Sequence, residues 1–162
     1  MDRAVLTAYT KQMGTHSYSR CWVHLIWGTL NRERILLKDA AAQVSRYLSE
    51  YAESKKIYMK INFVNPDHVH ALIDLPTNLP LDEIVQLLKG GSSHWINAND
   101  LVIGKFAWGR GYGVFSVSES NVNRVAQYIA GQEEHHRVAS FSDEFARFVA
   151  RHGLQLRDEE SR

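Results

Sequence analysis

Two histidines separated by a single residue offer the first chemically suggestive pattern in this chain. His68 and His70 stand in the run Asn65-Pro66-Asp67-His68-Val69-His70-Ala71-Leu72-Ile73-Asp74-Leu75, a turn signal followed by an alternating segment. Because neighbouring side chains of a strand point to opposite faces, the two imidazoles would share one face. The opposite face would carry Val69, Ala71, Ile73 and Leu75. Two adjacent imidazoles make half of a metal site. A half-buried strand with histidines on its polar face is the alternative that the pattern leaves open.

A second pair of polar side chains, Tyr128 and Gln132, is spaced for one side of a helix. Residues four apart lie one turn above each other, so the two side chains would be neighbours. They border an apolar stripe formed by Val122, Val125, Ala126 and Ile129. From that border the Tyr128 hydroxyl could reach a site on a sheet. A tyrosine that packs its ring and leaves its hydroxyl in water would occupy the same position.

Length and composition predict one domain spanning residues 1–162, with tails at 1–17 and 152–162. The chain has 162 residues, 44% hydrophobic and 23% charged, enough for one substantial core. Its one cysteine, Cys21, excludes an internal disulfide and a cysteine-based zinc site. A net charge of +1 means that any nucleic-acid site would be a local patch. The sequence shows no signal peptide and no membrane-spanning run, which predicts a cytoplasmic protein without membrane attachment.

The periodicity of the chain predicts the order strand, helix, strand, strand, helix, strand, helix, with a last short helix over residues 141–151. This order is typical of an α+β fold of the ferredoxin-like split βαβ type. We expect an antiparallel sheet with helices on one face, plus C-terminal helices. In the second strand, Ile57, Met59, Ile61 and Phe63 are predicted to share the core face.

Several boundaries follow from local signals. Asp39 is predicted to cap the first helix, and Ser118 or Ser120 the third. Residues 109–117 are typical of a strand loosened by glycines. The segment Lys89-Gly90-Gly91-Ser92-Ser93 either ends the second helix as a loop or forms a small-residue patch for close approach. Propensity favours the loop.

Four segments of the chain resemble, in the same order, a known family. They are His68-Val69-His70, residues 87–93, residues 111–118 and Tyr128-Ile129-Ala130-Gly131-Gln132. The resemblance is to the single-tyrosine HUH transposases of small bacterial insertion sequences and their REP-associated relatives, over about residues 18–150. It implies an endonuclease and strand transferase for single-stranded DNA that acts in transposition. In that chemistry Tyr128 would be the nucleophile and would form a covalent 5′-phosphotyrosine intermediate.

The resemblance also implies a divalent metal ion held by His68, His70 and Gln132. This mixed set of nitrogen and oxygen donors suits Mn²⁺ at least as well as Mg²⁺. His135 and His136 lie nearby in the sequence, and either could replace Gln132 as the third ligand.

The substrate implied is single-stranded DNA, with hairpins at the ends of the mobile element. Phosphate contacts are predicted at Arg32, Arg34, Lys89, Ser92 and Arg110. In this family the tyrosine helix acts on the histidines of another subunit, which implies a homodimer with shared active sites.

Two other functions compete with transposition. Residues 110–115 resemble part of the signature of an RNA-recognition motif, a non-catalytic RNA-binding module with the same split βαβ architecture. Val114 stands where that signature requires an aromatic residue, and the module would not use the histidines or Tyr128. The other alternative is a host-retained, non-mobile family member that processes repeated DNA hairpins.

Overall fold

The computed structural model describes residues 16–156, so most of the predicted tails at 1–17 and 152–162 lies outside the described residues. The four strands are β1 (Trp22–Gly28), β2 (Tyr58–Val64), β3 (His68–Asp74) and β4 (Gly113–Val117). The α-helices of the described range are α1 (Lys38–Ser54), α2 (Leu81–Ala98), α3 (Val122–Ala130), α4 (Gln132–His135) and α5 (Phe141–Arg151). Short 3-10 turns precede α1 and α3 at Leu30–Arg32 and Glu119–Asn121.

The strands form one antiparallel sheet in the order β2-β3-β1-β4. Strands β2 and β3 make the predicted hairpin, and the two crossovers to β2 and β4 contain α1 and α2. This confirms the predicted ferredoxin-like α+β fold. Within residues 16–156, no helix combines the length and the apolar character needed to cross a bilayer.

The two faces of the sheet have different partners. On one face, Leu25, Val69 and Ala71 pack with the buried side chains of α1 and α2 in the main core. On the other face, Leu72 contacts the apolar stripe of α3, and Ile26 packs against α5. Antiparallel pairing places Ile26 opposite His70 and Gly28 opposite His68. The histidine face is therefore the one covered by the C-terminal helices.

Strand β2 departs from the predicted alternation. The register shifts between Met59 and Ile61, where Lys60 is an extra residue relative to β3. A bulge of this kind reverses which side chains face the core. Met59 packs with the main core, whereas Ile61 and Phe63 pack with α3 on the other face. The prediction that these residues share one face was wrong because the bulge moves the second half of the strand by one position.

The glycine pair predicted as a loop lies inside helix α2. A Cβ on Gly91 would stand 2.8 Å from Cζ of Tyr51 and 3.2 Å from the hydroxyl of Tyr47, both on α1. These two rings are stacked, and Tyr47 also stacks on Trp95 with ring centroids 4.7 Å apart. The small-residue alternative is therefore the correct one, since Gly91 lets the two helices approach closely. Packing between helices outweighs the poor helix propensity of glycine here.

Gly90 and Gly91 provide a matched test of this packing. A Cβ on Gly90 would have nothing within 4 Å, so Gly90→Ala should stabilise the fold by about 0.5–1 kcal/mol through helix propensity. Gly91→Ala should destabilise it, because the added methyl meets a stacked ring and overpacking costs about 1–3 kcal/mol. Urea denaturation of both variants checks the opposite signs. Equal effects would contradict the close approach of α1 and α2.

Other boundaries also differ from the predictions. Helix α1 begins at Lys38, and Asp39 lies in its first turn without capping it. Neither predicted serine caps α3, which begins at Val122 after a 3-10 turn. Strand β4 begins only at Gly113, because Gly111 adopts a positive φ of 76° that interrupts the extended backbone.

Candidate metal and nucleophile site

His68 and His70 project from β3 into the centre of the face covered by α3 and α5. Both are 0% exposed, and their ring centroids are 5.1 Å apart. This confirms that they share a face, with Val69 and Ala71 in the opposite core.

Each of these imidazoles is oriented by a contact of its Nδ1 atom on the side away from the centre of the site. His68 Nδ1 lies 2.6 Å from Oδ1 of Asp67, and His70 Nδ1 lies 2.7 Å from Nε2 of His24 on β1. Burial lowers the pKa of His24 to about 3 and that of His70 to about 4, so both rings are neutral. The Nε2 atoms are left to face the centre of the site. Partners of this kind orient metal-binding histidines.

His136, which directly follows α4, brings a third imidazole to the same place. Its Nδ1 lies 2.8 Å from the carbonyl oxygen of Ala139, a contact that directs Nε2 to the centre of the site. This Nε2 is 3.0 Å from Nε2 of His68. Two nitrogen atoms at this separation need a shared proton or a metal cation between them.

Glu144 on α5 brings a carboxylate to the three imidazoles. Its Oε1 lies 2.8 Å from Nε2 of His70 and 3.3 Å from Nε2 of both His68 and His136. Within residues 16–156, these four side chains are the group whose ligand atoms are close enough to hold a metal ion. Burial alone would raise the pKa of the Glu144 carboxyl, but hydrogen bonds from His136, His68 and His70 hold it well below its usual range. The carboxylate is therefore ionised.

Glu144 was not among the residues predicted from the sequence, although the chain carries a signal for it. Three residues after Phe141 and four before Phe148, it falls on the apolar face of its helix. A charged residue on an apolar helix face requires a partner in the interior. His24 and Asp67 were also missed as partners of the two β3 histidines, since neither contact is visible before the strands are paired.

Tyr128 reaches this cluster from α3. Its hydroxyl donates a hydrogen bond to Oε2 of Glu144 and lies 3.1 Å from Nε2 of His135. Burial and the hydrogen bond to Glu144 raise the pKa of Tyr128 above its ordinary value, so the phenol keeps its proton in this arrangement. The structure thus brings Tyr128 together with His68 and His70 of the same chain.

Gln132 lies at the edge of the same cluster, although helix α3 ends before it at Ala130. Its Oε1 accepts a hydrogen bond from Asn65 Nδ2 at 3.3 Å and lies 2.8 Å from Nε2 of His136. Its Nε2 donates to Oε2 of Glu144 at 3.3 Å. Of the three residues considered as third ligand, Gln132 and His136 face the imidazole centre, whereas His135 faces the Tyr128 hydroxyl.

Two of the predicted DNA contacts are used internally. The Lys89 ammonium donates to the carbonyl oxygens of Gly109 and Gly111, each at 2.8 Å. Ser92 has no exposed surface, and its hydroxyl donates to the carbonyl of Leu88 while accepting from Trp108. These contacts hold the segment before β4 against α2, on the sheet face away from the histidines.

The three predicted arginine contacts line clefts at the surface. Arg34, whose side chain is 68% exposed, stands 3.9 Å from Oδ2 of Asp67, the carboxylate behind His68. Its cleft, of about 500 Å³, is also lined by His136. Arg32 and Arg110 line a second cleft of about 320 Å³.

Comparison with known proteins shows the family to which the chain belongs. A family model described as IS200-like transposase matches residues 17–132. The chain belongs to this transposase family. It is 26% identical over 116 residues to the ISDra2 transposase TnpA of Deinococcus radiodurans. The matched region covers 68% of this chain and 83% of that protein.

Two solved structures are similar to this IS200-like transposase. One is a crystal structure from Deinococcus radiodurans R1 assigned to the transposases, with a TM-score of 0.58 and 26% identity, covering 75% of this chain and 97% of that one. The other is a REP-associated tyrosine transposase bound to a REP hairpin, with a TM-score of 0.55 and 12% identity, covering 79% of this chain and 74% of that one. At 12% identity, the second similarity shows a shared fold.

Family membership makes this protein a transposase enzyme with a role in transposition, and it does not favour an RNA-recognition module. The matched segment contains His68, His70, Tyr128 and Gln132. Glu144 and His136 lie beyond it. The cluster therefore combines residues of the family segment with residues of the C-terminal extension.

Proposed function

We propose that this IS200-like transposase is a metal-dependent endonuclease and strand transferase for single-stranded DNA that acts through a 5′-phosphotyrosine. One observation carries the proposal. The Tyr128 hydroxyl and the Nε2 atom of His70 contact the two oxygens of a single carboxylate, that of Glu144. The candidate nucleophile and the candidate metal ligands therefore belong to one site.

The donor set fits a divalent metal ion. His68 and His70 have their Nε2 atoms directed to the centre, and Gln132 and His136 are both placed to contribute a third ligand. Such a cation would neutralise charge on the phosphate that is attacked. Hydrogen bonds to Asp67 and Glu144 outweigh burial and raise the pKa of His68. The same two carboxylates would stabilise a metal cation bound at His68, as they stabilise a proton there.

The chain itself supplies the nucleophile and its proton acceptors. The phenolic oxygen of Tyr128 would form a bond to phosphorus while the bond from phosphorus to the 3′ oxygen breaks. The phenol proton would pass to a neighbouring acceptor, and the departing oxygen would take up a proton to become a free 3′-hydroxyl. The phosphotyrosine ester preserves the energy of the broken bond for rejoining, so no nucleotide cofactor is required.

We further propose that one subunit assembles this site by itself. The family resemblance implied a homodimer in which the tyrosine helix of one subunit acts on the histidines of the other. Here the ring of Tyr128 lies 6.0 Å from that of His70 in the same chain, measured between centroids. Gly131 separates α3 from α4, so an exchange of α3 between subunits is the alternative that a mixing experiment must exclude.

DNA recognition would use the two clefts. Arg34, Lys38 and Arg137 line the cleft that reaches His136, and they provide positive charge for a phosphate backbone. Arg110 and the exposed ring of Tyr112 line the other cleft, where an aromatic ring suits an unpaired base. The similarity to a transposase solved with a REP hairpin supports a hairpin-containing substrate.

The deciding experiment is an adduct assay with labelled single-stranded DNA that contains a hairpin. Purified protein and Mn²⁺ should yield a covalent protein–DNA complex that resists denaturation. Excess EDTA should abolish the complex, and added Mn²⁺ should restore it. Binding of DNA or RNA without any adduct, unaffected by EDTA, would refute the proposal.

A further inference from the structure

The distances around Oε1 of Glu144 match the spacing of ligands around a metal ion. Oε1 lies 2.8, 3.3 and 3.3 Å from the Nε2 atoms of His70, His68 and His136, and the Nε2 atoms of His68 and His136 are 3.0 Å apart. Metal–ligand bonds of about 2.1 Å place neighbouring ligands about 3.0 Å apart in an octahedral site and about 3.4 Å apart in a tetrahedral one. Glu144 therefore stands at the position of a ligand.

Helix α5, which carries Glu144, packs closely against two glycines of the sheet. A Cβ on Gly28 would lie 2.8 Å from the Phe141 ring, and one on Gly113 would lie 2.7 Å from the Phe145 ring. The Phe141 ring stacks on His68 with centroids 4.1 Å apart and an angle of 6° between planes. The two glycines thus leave room for the helix that delivers the carboxylate.

The buried negative charge of Glu144 also favours binding of a cation at this site. The carboxylate is 1% exposed, and its described ion-pair partners are four histidines: His68, His70, His135 and His136. Burying a carboxylate is costly unless positive charge compensates for it. A divalent ion shared with the imidazoles would provide that charge directly.

We infer that Glu144 ligates the cation through Oε1, together with His68, His70 and His136, and holds the Tyr128 hydroxyl through Oε2. The inference deepens the proposed function and rests on it. It adds a ligand from outside the segment that the family model matches. Three imidazoles and one carboxylate favour Mn²⁺, Co²⁺ or Zn²⁺ over Mg²⁺, which prefers oxygen donors.

Metal binding to the full chain tests this ligand without relying on activity. Calorimetric titration with Mn²⁺, and the visible absorption of the Co²⁺ form, should be compared between wild type and Glu144→Gln. We expect the variant to bind Mn²⁺ at least about tenfold more weakly and to change the Co²⁺ spectrum. Glu133→Gln, an exposed glutamate on α4, is the matched control and should bind like wild type.

A double variant separates failure of this inference from failure of the proposed function. His68→Ala combined with His70→Ala should lose specific Mn²⁺ binding. If that variant loses binding while Glu144→Gln and Glu144→Ala bind Mn²⁺ as tightly as wild type or more tightly, the assignment of Glu144 is overturned and the histidine site stands. If wild type binds no better than the double-histidine variant, the metal site of the proposed function fails as well. Circular dichroism of the metal-free proteins confirms that each variant is folded.

Discussion

Tyr128→Phe is expected to abolish the covalent protein–DNA adduct while leaving the fold intact. The substitution removes the one oxygen that would attack phosphorus, so the loss should be at least about a thousandfold. The phenylalanine ring can keep its packing against Phe148, whose centroid lies 5.7 Å from that of Tyr128. The measurement is the amount of labelled DNA that migrates with the protein after denaturation.

A matched control for this prediction is Tyr18→Phe. Tyr18 is 96% exposed and lines neither of the two clefts assigned to DNA. Its variant should still form the adduct. If Tyr128→Phe forms the adduct at the wild-type rate, the nucleophile is a different residue.

The double variant His68→Ala with His70→Ala is expected to lose adduct formation at every Mn²⁺ concentration. Both imidazoles would be needed to hold the cation. By neutralising charge on the phosphate, the cation would lower the activation free energy by several kcal/mol, which corresponds to at least about a hundredfold in rate. His94→Ala, at an exposed position on α2, is the control and should remain active. Adduct formation by the double variant at the wild-type rate would place the metal site elsewhere.

Mixing the two inactive proteins distinguishes a site within one chain from a shared one. If Tyr128 serves the histidines of its own subunit, a mixture of Tyr128→Phe with the double-histidine variant stays inactive. If α3 exchanges between subunits, one site of each mixed dimer regains both parts and the adduct returns. The contact of Tyr128 with Glu144, which also contacts His70, leads us to expect an inactive mixture.

Much of the architecture could be predicted because it depends on local periodicity. The alternation of β3 placed His68 and His70 on one face, and the three-and-four spacing of α3 placed Ile129 in the core. The order of elements then predicted the sheet. Errors arose where a contact distant in sequence outweighs local preference, as with Gly91, which remains helical because Tyr51 lies against it.

By itself, the sequence determined that both imidazoles of β3 share one face and that a helix carrying Tyr128 follows. Both conclusions depend on local backbone periodicity, which alternates side chains along a strand and repeats every three to four residues in a helix. The tertiary structure decided what surrounds the imidazoles. His24 comes from the neighbouring strand and Glu144 from a helix 74 residues beyond His70. Their approach depends on strand register and on the room left at Gly28, which are interactions between segments far apart in the chain. A pair of histidines on a strand thus becomes a closed cluster with its own carboxylate only when α5 packs on the sheet.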